Sequence, residues 1–122
     1  NFIAYCFHSV EGYSMVGSFV GNGNDDGPFI YTGFTPQMYI FKSRDTSDNW
    51  TVMSVPPNNY NVSQIVQKTD SNAADGSSTS YRQDILSNGI KLRDDYATLN
   101  KNGDNYLIIA FAESPFKTSN AR

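Results

Sequence analysis

The chain has 122 residues, 39% hydrophobic and 14% aromatic, which suits one domain with a packed core. Only 17% is charged, with a net charge of −3, and polarity comes mainly from Asn, Ser and Thr. Near absence of Glu excludes a helical bundle, sixteen Tyr and Phe exclude disorder, the acidic balance excludes a basic nucleic-acid binder, and no run reaches the roughly 20 apolar residues of a membrane helix.

The pattern along the chain is that of an all-β protein. Residues 2–8 read as a first strand, carrying the only cysteine, Cys6, and the only histidine, His8. One cysteine rules out an intrachain disulfide, and Cys6 is expected as a small buried hydrophobe. His8, at the strand end on the face of Ala4 and Cys6, is expected to be structural. The chain starts inside this strand with no initiator Met or signal segment, so it is expected to be the C-terminal unit of a longer protein.

Further strands are expected at 14–20, 29–32, 37–42, 50–55, 60–66, 81–86, 89–93 and 105–112. Short apolar runs separated by Gly, Asn, Asp and Pro suit an antiparallel β-sandwich, here taken as a single domain over residues 1–122. Gly21-Asn22-Gly23-Asn24-Asp25-Asp26-Gly27-Pro28 must be a loop. Asn22, Asn24 and Asp26 place oxygens at alternate positions before a glycine, as calcium loops do. A calcium loop would carry Glu six residues after Gly27, where this chain has Gly33, and a turn whose Asn and Asp side chains bond their own backbone is the other reading. Trp50 opens an apolar strand and is expected in the core. Residues 69–80, the most polar stretch, should be a mobile surface loop. Asn88-Gly89 between Ile85-Leu86 and Ile90-Lys91-Leu92 signals a hairpin in preference to a helix over 80–92.

The strand at 105–112 is apolar on both faces, and so is the first one. Asn1-Phe2-Ile3-Ala4-Tyr5-Cys6-Phe7 lines up with Asn105-Tyr106-Leu107-Ile108-Ile109-Ala110-Phe111. A true repeat would make residues 1–9 the closing strand of a preceding unit in a tandem array. A strand with two apolar faces is either covered on both or lies against another chain. An uncovered row such as Leu107, Ile109 and Phe111 would expose on the order of 300 Å² of apolar surface.

The succession Gly12-Tyr13-Ser14, Gly17-Ser18-Phe19, Gly21-Asn22-Gly23 and Gly33-Phe34-Thr35-Pro36-Gln37 continues to Lys42 and Trp50. Leu86-Ser87-Asn88-Gly89-Ile90-Lys91-Leu92, Leu99-Asn100, Gly103 and Tyr106-Leu107-Ile108-Ile109-Ala110-Phe111-Ala112 follow. Over about residues 5 to 116 this order resembles a domain of bacteriophage tail-fibre and other virion-appendage proteins. Such domains occur in phages of marine bacteria and cyanobacteria and look like concanavalin-A-like (laminin-G-like) or jelly-roll sandwiches. Met53-Ser54-Val55-Pro56-Pro57-Asn58-Asn59 departs from the family pattern, replacing an acidic residue and an Arg-containing turn with a proline-stiffened one. The resemblance implies a homo-trimeric, non-enzymatic virion module that engages host cell-surface polysaccharide. The alternative is a purely structural capsid-decoration or fibre-assembly module.

Chemistry read from the residues agrees with a binding role. Asp25 with Asp26 and Asp94 with Asp95 are adjacent pairs, which do not make the facing carboxylates of a polysaccharide-degrading enzyme. Glycan binding needs an exposed aromatic ring with hydroxyl-bonding neighbours. Tyr13, Tyr31, Trp50, Tyr60 and Tyr96 could supply the ring. Tyr60 with Asn58 and Asn59, and Tyr96 with Asp95, sit in loop-like surroundings and are the preferred candidates.

Overall fold

A computed structural model describes residues 1–55, 61–72, 74, 76, 77 and 79–115. Nine strands run through them: β1 (Ser14–Val20), β2 (Phe29–Tyr31), β3 (Pro36–Ser43), β4 (Thr51–Ser54), β5 (Ile65–Lys68), β6 (Gly76–Ser77), β7 (Gln83–Leu86), β8 (Gly89–Leu92) and β9 (Asn105–Ala112). One 3₁₀ turn (Thr79–Tyr81) precedes β7, and one short helix, α1 (Ala97–Asn100), precedes β9. The strands form a six-stranded sheet, β1-β9-β3-β4-β5-β6, and a three-stranded sheet, β2-β8-β7. Every pairing is antiparallel, so the protein is an all-β sandwich.

Side-chain alternation decides which residues meet between the sheets. Tyr39 and Phe41 of β3, Met53 of β4, and Ile108 and Ala110 of β9 face inward from the large sheet. Ile30, Ile90 and Leu92 face them from the small one, and Leu99 of α1 closes one end. Burying each large side chain contributes about 1.5–3 kcal/mol, so this cluster dominates stability. Helix α1 is fastened from below: the Tyr106 hydroxyl donates to the Ala97 carbonyl (2.6 Å) and accepts from the Lys101 amide (2.9 Å).

The hairpin between β7 and β8 lies where expected, with a changed role for its glycine. Leu86 pairs with Gly89, so Ser87 and Asn88 make the turn and Gly89 already belongs to β8. A Cβ at Gly89 would collide with the Ile30 carbonyl and approach the Phe29 ring at 2.7 Å. The glycine is needed for close approach of β2.

Several expectations need correction. Residues 1–9 form no strand: the place between β1 and β3 is taken by β9, and the first segment pairs with neither edge of the sheet. Cys6 is therefore exposed. Trp50 is 38% exposed, because Thr51 and Met53 take the inward positions of β4 and parity turns Trp50 outward. The strand expected at 60–66 begins only at Ile65. The polar stretch at 69–80 contributes β6 to the large sheet's edge, where Ile65 pairs with Ser77 and Val66 with Gly76.

Candidate carbohydrate-binding surface

The candidate surface starts in the loop at 21–27, which is pressed onto α1 through two glycines. A Cβ at Gly27 would stand 2.7 Å from the Leu92 Cβ and 3.1 Å from the Asn100 amide nitrogen, and one at Gly21 would strike the Lys101 carbonyl. Asn100 is fully buried and bonds with every polar atom of its amide. Its Nδ2 lies 2.9 Å from the carbonyls of Asn24 and Asp94 and 3.0 Å from Asn22 Oδ1. Its Oδ1 accepts from the Asn22 backbone amide at 2.8 Å. One side chain thus joins the 21–27 loop to the segment leading into α1.

Asn22, Asn24 and Asp26 do come together, and their oxygens are spent within the protein. Asn22 Oδ1 accepts from the Asn24 amide (3.1 Å), and Asn24 Oδ1 accepts from the Asp26 amide (2.8 Å). The Asp26 carboxylate lies 2.7 Å from Lys91 Nζ, whose hydrogen bond and charge hold its pKa below the usual carboxylate range. These are self-bonded turns with a cation already seated on the acid. A calcium ion there would compete with Lys91 for the Asp26 carboxylate. Among the described residues no group of three or more His, Cys, Asp or Glu side chains could hold a metal ion.

Arg82 continues the surface. Its Nε donates to Asp94 at 2.9 Å, and Nη2 lies 3.6 Å from Asp25, whose side chain is largely exposed. Hydrogen bonding to Asp94 and the charges around it raise the Arg82 pKa. The other Asp94 oxygen accepts from the Tyr96 amide (3.0 Å), which fixes the entry to α1. Tyr96, 40% exposed, stands edge-to-face on Tyr81 with ring centroids 5.2 Å apart, beside exposed Asp95. Burial and the neighbouring Tyr96 push the Tyr81 hydroxyl pKa up.

On the outer face of the small sheet stand two further rings. Phe29 is 45% and Tyr31 67% exposed, because Ile30 between them takes the inward position. Phe29 pairs across the sheet with Lys91, and Lys91 holds Asp26. Arg93 and Asp84 form a 2.6 Å pair on the same face. The surface therefore runs from Tyr31 and Phe29 through Lys91, Asp26, Asp25 and Arg82 to Tyr96. Beside Tyr31 opens a cleft of about 480 Å³, lined by Glu11, Met15, Thr32, Gly33 and Phe34 among others.

Such an arrangement suits sugars: rings offer faces for stacking, and cations and carboxylates offer donors and acceptors to hydroxyls. It is poorly suited to proton transfer, since Asp26 and Asp94 are tied to cations. Of the preferred ring candidates, Tyr96 with Asp95 lies on this surface, whereas Asn58, Asn59 and Tyr60 lie outside the described residues. Phe29, Arg82 and Lys91 were not singled out from sequence. The alternation of Phe29, Ile30 and Tyr31 between Pro28 and Gly33 was the available signal, whereas nothing local marks Arg82.

A family model described as Domain of unknown function (DUF7483) matches residues 1–115. No curated protein and no solved structure matches the chain. The family match spans both sheets and the segment ahead of β1, and the chain belongs to the DUF7483 family.

Proposed function

We propose that the domain is a non-catalytic module of a phage virion appendage, such as a tail-fibre tip, that engages host cell-surface polysaccharide. The observation that carries the binding part is the continuous surface from Tyr31 to Tyr96, with exposed rings at both ends and charged side chains between. A polysaccharide presents repeated apolar ring faces and hydroxyls, and this surface offers partners to both. The virion setting and the homo-trimer rest on the resemblance of the glycine-, proline- and aromatic-rich motifs to virion-appendage domains.

A glycan array on the purified domain tests the reading. Saturable binding to a bacterial envelope polysaccharide is expected, weakened by Phe29→Ala, Tyr31→Ala and Tyr96→Ala. It should be equal in calcium and in a chelator, since Lys91 already occupies Asp26. Silence across the array would favour the fibre-assembly module, a reading that the apolar outer face of the large sheet also suits. Shortened polysaccharide chains after incubation would instead reveal an enzyme.

A further inference from the structure

Residues 1–9 run as an arm from the start of β1 along the outer side of the large sheet. Its base is tied down: the His8 carbonyl accepts from Ser14 Oγ (2.7 Å), and Ser9 Oγ accepts from the Val16 amide (2.9 Å). Phe7 stands edge-on to Phe111 with centroids 6.2 Å apart. Beyond that point the arm is open to solvent, with Tyr5 and Ile3 each 82% exposed and Phe2 fully so. Beside it lies a groove of about 660 Å³, lined by Tyr5, Phe7, Ile40, Trp50, Leu107 and Ile109 among others.

Three observations say what this groove takes. Residues 2–7 carry no charge and neither do the residues lining the groove, and the strands of the large sheet carry only Lys42 and Lys68. The arm has the residue pattern of β9, a strand buried between neighbours, so it is composed to be covered. Its area is also substantial. At about 150–250 Å² per aromatic side chain, the exposed parts of Phe2, Tyr5 and Phe7 offer roughly 350–590 Å². With Ile3 added, the arm supplies more than half of the ~800 Å² that each partner buries in a standard interface. The family match includes these residues, so the arm is a constituent of the unit.

We infer that the arm of one copy seats Phe2 and Ile3 in the groove of a second copy of this chain. Each copy then gives an arm and receives one, a head-to-tail contact that closes as a ring. Sugar binding plays no part in it, so the two readings stand or fall separately.

Sedimentation of the whole chain over a micromolar range tests this, with two variants of exposed residues whose folding is checked by circular dichroism. The arm variant is Phe2→Asp with Ile3→Asp, and the groove variant is Trp50→Ser. The parent chain should associate, and each variant should need a concentration higher by about tenfold or more. Mixing the two variants should restore a pair, because one keeps its groove and the other its arm. Alkylation of exposed Cys6 should slow as the parent associates. A parent chain monomeric throughout, variants that associate as it does, or a mixture that stays monomeric would each overturn the inference.

Discussion

The two outer faces of the sandwich differ in kind. On the large sheet Val16, Ile40, Leu107 and Trp50 line a groove without charged residues, whereas the small sheet presents Phe29 and Tyr31 beside Lys91, Arg93 and Asp84. Both faces expose aromatic rings, so ring exposure alone does not tell what a surface binds. The surroundings of the rings do. Rings among apolar groups lose water only to another apolar body, as in a protein contact. Rings beside fixed donors and acceptors suit a ligand that is itself half apolar and half hydroxyl.

The sharpest way to break that contrast is to loosen the small-sheet side from beneath. Asn100→Ala removes a buried amide that serves Asn22, Asn24 and Asp94 and leaves their polar groups unsatisfied. A loss of about 3 kcal/mol is expected, lowering Tm by roughly 10 °C in a domain of this size. Thermal melts check the stability. Glycan binding measured below the melt should weaken, because Asp25 and Asp26 lose their support, while self-association of the folded fraction should persist.

Next in size are the rings themselves. Phe29→Ala and Tyr31→Ala should each weaken polysaccharide binding about tenfold, near 1.4 kcal/mol, with little change in the sedimentation profile. Calorimetric titration with the polysaccharide identified on the array measures the first effect. Equal loss from Trp50→Ser would show that the division between the faces is wrong.

How far these faces could be read from sequence follows from the range of the interactions involved. Strand β9 and the β7–β8 hairpin were legible because each is signalled locally, by a two-faced apolar run and by Asn88-Gly89. The arm was misread for the same reason: residues 2–7 have the composition of a strand, and composition does not say which sheet has an edge to receive it. Trp50 went to the wrong side because parity is set by the register of β4 against β3, with Ile40 opposite Val52, and not by the tryptophan. Asn100 reaches a loop 78 positions away, and Arg82 binds Asp25 only because both sheet and loop are in place. Such pairs have no signature in a single sequence.

A change between the two faces should have a smaller effect, of opposite sign. The Tyr39 ring is fully buried, and its hydroxyl has no hydrogen-bond partner among the described residues; burial alone pushes its pKa well above the ordinary tyrosine value. Tyr39→Phe removes a desolvated polar atom and keeps the ring that packs against Phe41. The variant should be more stable by about 1 kcal/mol, read as a higher denaturation midpoint, with binding and association both unchanged. A destabilised variant would mean that the hydroxyl has a partner, such as a buried water.

The smallest expected effect is a pH dependence that separates the faces by chemistry alone. The Asp26 carboxylate accepts a hydrogen bond from Lys91 and is drawn to its charge, so its pKa in the folded protein is depressed. A depressed carboxylate pKa contributes stability that is fully present above the unfolded value of about 3.9 and is lost as pH falls through the folded value. The pair should therefore hold from neutral pH down to about pH 4 and open only below it. Because Asp26 is exposed, the effect on global stability is slight, and it should show instead in the ligand surface. Polysaccharide affinity should be flat between neutral pH and about pH 4, then fall in more acid solution as Lys91 is released. Asp26→Asn should flatten that acid limb at the cost of weaker binding at neutral pH. The groove of the other face has no charged residue in its lining, so arm-mediated association should change less over the same range. Sedimentation and calorimetry in matched buffers make the comparison, and an acid loss of association as large as the loss of binding would place titrating groups in the arm's contact with the groove.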